Sequence, residues 1–179
     1  MRPVCFLFAL LAISRVSAAD SIEQVRNDII AAMQHSIDAL ARGDIDAAVQ
    51  MDTDDWVSIT LNDKPIPKKQ LVDLMHRDRG EVVPPGWRVV WKPDYEHVGT
   101  LTGIQIYDLQ LAGDKATVLY LIGGTNPQTS DGVTHQVWRG SHIRDSWIRT
   151  PSGWRRSKHE KLTVNEQMVD GKRVDRGLK

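Results

Sequence analysis

Two apolar periodicities succeed one another along this chain, and their order limits the fold more than any single motif. In the first third, Ile22, Val25, Ile29, Met33, Ile37 and Leu40 recur every three or four residues, which predicts one long amphipathic helix. Asp20 can cap it, with Glu23 closing a capping box, and Gly43 ends it. Asp44 then caps a short second helix carrying Ala47, Ala48 and Met51, with Asp46 in the first turn, where a negative charge favours the helix dipole. Trp56 to Leu61 is β-branched and aromatic and reads as a strand, turned by Asn62-Asp63. Pro67 opens a third helix with Leu71, Leu74 and Met75 on its inward face.

After the Pro-rich crossing "EVVPPGW" the pattern from Val89 onward is all strand. Segments fall at Tyr95–Leu101, Gly103–Leu111, Lys115–Gly123, Thr134–Thr150 and Trp154–Val164. The turns "AGDK" and "PSGW" join antiparallel neighbours. The turn formers in "GGTNPQTSDG", 123–132, read as a long mobile loop, and the polar residues 166–179 as a tail. Helices first and strands after them predict an α+β domain over 20–165. Three N-terminal helices pack on a curved antiparallel sheet, which forms a cone with an internal pocket.

Residues 1–19 carry a short basic start, an apolar run from Val4 to Ile13 and the small residues Val16-Ser17-Ala18-Ala19, the signature of a cleaved secretory signal peptide. The run is too short to span a bilayer, so an exported protein, periplasmic or secreted, with no membrane association after cleavage is expected. Cys5 is the sole cysteine and lies inside this segment. The remainder must therefore hold itself together by its core, which a domain of about 160 residues can do. Removing the segment takes two arginines and no acid, leaving 21 basic and 23 acidic residues. So balanced a surface offers no field for nucleic acid, and a small-molecule ligand or a protein partner fits better.

Helix, "GDIDAAVQM", "DDW", strand, a Pro-started helix and strands ending in "DSWIRTPSGWRR" together resemble the nuclear-transport-factor-2-like superfamily, in its SnoaL-like and ketosteroid-isomerase-like branch. The resemblance spans about Ser21 to Val164. It implies a small-molecule pocket and acid–base chemistry of the isomerase, cyclase or dehydratase kind, for which no cofactor is needed. Counting from Gly43, the helix-borne tyrosine of the steroid isomerases falls on Ser36 and their general-base aspartate on Thr60. Counting back from Gly153, their protonated oxyanion-hole aspartate falls on Asp145. That chemistry needs the base and the hydrogen-bond donors together, and Thr60 cannot take a proton from carbon, so steroid isomerisation by that route is disfavoured.

Most of the five aspartates in "GDIDAAVQMDTDDW" serve to cap and turn the chain. Asp54 and Asp55 are either a carboxylate pair at the pocket rim or a turn feeding the strand. Trp56 shares a face with Ser58 and Thr60, and the three line the pocket or fill the core. Asp145 lies mid-strand with Ile143 and Trp147 two residues away on the same face, so it is a tuned acid or one half of a buried ion pair. On the last strand Lys158, Glu160 and Leu162 share a face that the resemblance turns toward the pocket. Lys158 is then the partner of Asp145 and Glu160 the general base, while a one-residue slip puts His159 in their place. The candidate catalytic residues are thus Asp145, Glu160 and His159. Trp56, Ser58, Thr60, Met75, Ile143, Trp147, Lys158 and Leu162 are the expected lining.

The six histidines show no spacing that shares a helix or strand face, so no metal site is expected. The rival to a catalytic pocket is a non-enzymatic ligand-binding or dimerisation module. In that case the outer sheet face around Trp138 meets a second copy in a homodimer.

Overall fold

The computed structural model describes residues 21–62, 64–78, 83, 86–93, 101–163 and 166–174. The proposed signal peptide, the cap at Asp20 and the strand at Tyr95–Leu101, apart from Leu101 itself, lie outside them.

The helical period is realised as α1, Ile22–Ala41, whose Val25, Ile29, Met33 and Ile37 are all buried. Its N-cap is Ser21, whose Oγ accepts from the Gln24 amide at 3.1 Å. Gly43, at φ +73°, turns the chain out of the helix in a conformation that only glycine adopts freely. Helix α2, Ile45–Ala48, starts at Asp44, whose side chain accepts from the Ala47 amide at 3.0 Å. A 3-10 turn over Val49–Met51 leads into β1, Asp52–Ile59. Asp54 and Asp55 therefore sit within the strand, both exposed, and not in a turn before it. Strand β2, Pro65–Pro67, precedes α3, Lys68–Asp78.

The remaining strands are β3 (Arg88–Trp91), β4 (Gly103–Ala112), β5 (Lys115–Ser130), β6 (Val133–Thr150), β7 (Gly153–Lys161), β8 (Glu166–Val169) and β9 (Lys172–Arg173). They form one sheet in the order β2-β1-β7-β6-β5-β4-β3, with β8 pairing the first half of β6 and β9 pairing β8. The sheet is mixed, where an all-antiparallel one was expected. Strand β1 runs parallel to β7, and β3 parallel to β4. Neither parallel pair is linked by a hairpin turn, and only hairpin-linked strands are forced to be antiparallel.

Two sequence readings are corrected here. The stretch 123–132 is not a loop: β5 and β6 stay in register from Lys115↔Ile148 to Ser130↔Val133, closed by Asp131-Gly132 at φ +52° and +77°. That is the two-residue Asp-Gly turn that matches strand twist, and the β-branched residues before it continue the strand. The polar tail is likewise a hairpin, turned by Asp170-Gly171 at φ +48° and +76°. Asp170 fastens it to β6, taking a hydrogen bond from the Gln136 amide at 2.9 Å and pairing with His135 Nδ1 at 2.7 Å.

Helix α1 lies on the inner face of the sheet, where its apolar side meets Val89, Ile104, Ile106, Val118, Ile143 and Trp147 in one core. The outer face is not bare at Trp138. This residue is 2 % exposed, and its Nε1 donates to the Leu101 carbonyl at 2.7 Å. Its ring occupies the space where a Cβ on Gly123 or Gly140 would stand. Trp138 is thus covered within the chain and offers no exposed surface of its own to a second copy. Period two shows which face a residue takes, but not what covers that face. Among the described residues no helix is long and apolar enough to cross a membrane.

Candidate functional site

The chemistry of the site begins with one extra residue. Strands β6 and β7 pair Ser146 with Lys158 but Trp147 with Arg156, so Ser157 is bulged out of the ladder and its Oγ donates to the Ser146 carbonyl at 3.1 Å. A bulge reverses the alternation of faces beyond it. Arg156 before it and His159 after it, three residues apart, consequently point to the same side. That side faces Asp145.

Asp145 is fully buried on β6 between Ile143 and Trp147, both also buried. It accepts three hydrogen bonds. His159 Nδ1 lies 2.9 Å from Oδ1, while the Tyr120 hydroxyl donates to Oδ2 at 3.1 Å and Arg156 Nη1 to the same oxygen at 3.4 Å. Arg156 also donates from Nε to Asp52 Oδ1 at 2.7 Å and stacks its guanidinium 5.2 Å from the Trp56 ring centroid. Burial alone works against the arginine cation. The carboxylates of Asp145 and Asp52 outweigh it and hold Arg156 charged, above its ordinary value. Burial, and then the neighbouring Asp145 charge, push the Tyr120 phenol well above its ordinary range, so it stays a protonated donor.

Because a carboxylate that receives three donors offers only lone pairs, Nδ1 of His159 carries the proton in their contact. In the neutral form of the ring the lone pair is on Nε2, which has no hydrogen-bond partner among the described residues. Holding one ring nitrogen so that the other becomes the working base is the way carboxylates orient histidines in acid–base sites.

Beside this cluster lies a cavity of about 140 Å³ between α1 and the sheet. Its walls are mainly apolar, from Met33, Ile37, Leu40, Met51, Trp87 and Ile122. Ser36, Tyr120, Arg156 and His159 bring the polar atoms. Ser36, on the buried face of α1, is also the position that the resemblance matched to a tyrosine. Asp145 stands behind His159 and Tyr120 and does not itself line the space.

No family model matches this chain, and no curated protein matches it. Solved structures do. A nuclear-transport-factor-2-like protein with a cystatin-like fold from Novosphingobium aromaticivorans superposes with a TM-score of 0.51 at 16% identity, over 80% of this chain and 84% of its own. A ketosteroid isomerase-like protein from Erwinia carotovora atroseptica gives 0.50 at 20% identity, over 80% and 100%. This chain has the nuclear-transport-factor-2-like fold. A third similar structure is a candidate aromatic ring hydroxylase from Novosphingobium aromaticivorans, at 0.53 and 16% identity, over 83% and 96%. At these identities the likeness carries the fold and not the chemistry.

Within this nuclear-transport-factor-2-like fold the expected site residues separate into two groups. Asp145, His159 and Trp56 come together, with the Trp56 ring 6.4 Å from the His159 ring. Lys158 and Glu160 do not join them. The bulge turns both to the other face, where Glu160 pairs with Arg144 and Lys158, each at 3.5 Å. Arg156 takes the place expected for Lys158, and His159 that expected for Glu160.

Ile143 and Trp147 belong to the core under α1. Ser58, Thr60, Met75 and Leu162 are half-buried and stand apart from the cavity wall. The Thr60 hydroxyl meets the Lys64 carbonyl, and the Leu162 amide donates to the His142 carbonyl. Asp52, Tyr120 and Arg156 were missed. Asp52 begins its strand four residues before the apolar run that announces it, so it read as punctuation. Tyr120 read as one more strand aromatic, and Arg156 as the second arginine after a turn. Among the described residues no three His, Cys, Asp or Glu side chains come together as a set of metal ligands.

Proposed function

We propose that this is an exported domain that shelters a small, partly apolar molecule in a cone closed by its helices and acts on it by acid–base chemistry of the isomerase, cyclase or dehydratase kind. His159 is the proton acceptor, through Nε2. Asp145 is the positioning residue that holds the ring and balances the charge it gains. Tyr120 and Arg156 keep Asp145 in place, and the apolar walls exclude water from the reacting group.

The single observation that supports this reading is the 2.9 Å contact between a fully buried carboxylate and a histidine at the edge of a cavity. A buried ion pair between Asp145 and Arg156 alone would hold the fold without it. The imidazole lines the cavity, and its Nε2 has no hydrogen-bond partner among the described residues. The residue set differs from the steroid-isomerase pattern, because three donors point at Asp145 and leave it none to offer a ligand.

Native mass spectrometry of protein purified gently from its host tests the reading, with Ser36→Leu beside the wild type. Leucine at 36 fills the cavity and leaves every charge in place. A small molecule retained by the wild type and lost from Ser36→Leu is expected. That molecule should then be converted by the wild type and held unconverted by His159→Asn. An empty cavity in both proteins refutes the binding role, and a ligand that the wild type never alters refutes the chemistry.

A further inference from the structure

Cavity size, buried charge and the unpaired atoms of the site together describe the ligand more narrowly than the proposed function does, on which this inference rests. An apolar cavity of about 150 Å³ takes up one benzene ring. The space here, about 140 Å³, matches a single ring or a chain of equal bulk better than fused rings.

Its polar end sets the substituent. The buried set holds two carboxylates, Asp52 and Asp145, and one guanidinium, Arg156. Tyr120 is a neutral donor committed to Asp145, so apart from the imidazole the buried charges sum to one negative. An anionic ligand would add a second negative charge in a medium that screens it poorly. Two groups remain for a neutral one. His159 Nε2 offers a lone pair, and Arg156, with Nε engaged by Asp52 and Nη1 by Asp145, keeps further N–H groups with no partner among the described residues. Arg156 Nη1 lies 3.4 Å from His159 Nδ1, so guanidinium and imidazole adjoin. A hydroxyl is the neutral group that donates to one and accepts from the other.

We infer that the cavity takes an uncharged single-ring alcohol or phenol, its hydroxyl held between His159 and Arg156 and its ring among Met33, Ile37, Leu40 and Ile122. The hydroxyl is then the proton that His159 is placed to remove.

Calorimetric titration of the wild type with phenol, benzene, benzoate and 2-naphthol tests this, with phenol and benzene repeated on His159→Phe. Phenol should bind at least about tenfold more tightly than benzoate and 2-naphthol, and about tenfold more tightly than benzene, as one hydroxyl placed between two partners gives. In His159→Phe the advantage of phenol over benzene should vanish. Benzoate binding as well as phenol overturns the charge argument. Equal binding of 2-naphthol overturns the size argument while leaving the pocket itself standing. If none of the four binds while the native molecule is still retained in mass spectrometry, this ligand class is wrong and the proposed function survives. If neither is seen, both fall.

Discussion

Arg156→Met is the perturbation that most directly examines the buried charge cluster. The arginine side chain is 12 % exposed and its two partners 1 % and 0 %, so water cannot replace what methionine removes. Asp145 would keep its bonds from Tyr120 and His159. Asp52 would keep no side-chain partner, since its Oδ2 already has none and Oδ1 relies on Arg156 Nε. Breaking a buried pair in this way costs about 3–5 kcal/mol, most of it from the stranded carboxylate. Loss of the cation over Trp56 adds on the order of 1 kcal/mol. For a domain of this length the total corresponds to a fall in Tm of roughly 8–24 °C. Urea denaturation followed by tryptophan fluorescence measures it. Asp52→Leu supplies the control, because removing the stranded charge as well should return at least about 2 kcal/mol to the double variant. A loss below about 1 kcal/mol for Arg156→Met, or costs that simply add in the double variant, would show that the carboxylates are not held by this arginine.

Two further outcomes follow from the outer face. Gly140→Ala sets a Cβ into the Trp138 ring, and since the ring is fixed by its bond to Leu101, a loss of about 1–3 kcal/mol is expected in the same denaturation assay. The second concerns pH. The hydrogen bond with His135 and then the bond from the Gln136 amide lower the Asp170 pKa below its ordinary value. A depressed carboxylate contributes stability that is present above the unfolded value, about 3.9, and lost as pH falls through the folded one. Amide exchange at Gln136 and across β8–β9 should therefore stay slow down to about pH 4 and accelerate below it, while Asp170→Asn should exchange faster already at neutral pH. Identical exchange in both proteins at pH 6 would show that Asp170 does not fasten the hairpin.

What could be read from the sequence was what regular periodicity encodes. Helix α1 was legible because four apolar residues at a helical spacing leave a single buried face, and Asp44 because a cap has a local signature. Burial of Asp145 was legible from its two large neighbours on one face of one strand. The hairpins at Asp131-Gly132 and Asp170-Gly171 carried the same Asp-Gly signal as any tight β-turn. They were passed over because polar residues around a turn resemble a loop until a partner strand is known. The cover over Trp138 depends on residues far away in the chain, and no local pattern announces it.

The site itself depended on the one irregularity that periodicity cannot show. With strict alternation, Lys158 and Glu160 face Asp145 and the pocket has an ammonium beside a carboxylate base. With Ser157 bulged, the same strand presents Arg156 and His159, a guanidinium and an imidazole where an ammonium and a carboxylate were expected. Arginine in place of lysine also matters, because only its forked guanidinium can engage Asp52 and Asp145 at once and so bring β1 into the same cluster as β6 and β7. Deleting Ser157 would close the bulge with Lys158 next to Arg156, so His159 should stay opposite Asp145, whereas drawing Ser157 into a regular ladder would turn His159 to the outer face. The face that Arg156 and His159 share is thus assigned by a residue whose side chain bonds to neither of them, through the extra position it adds to the strand.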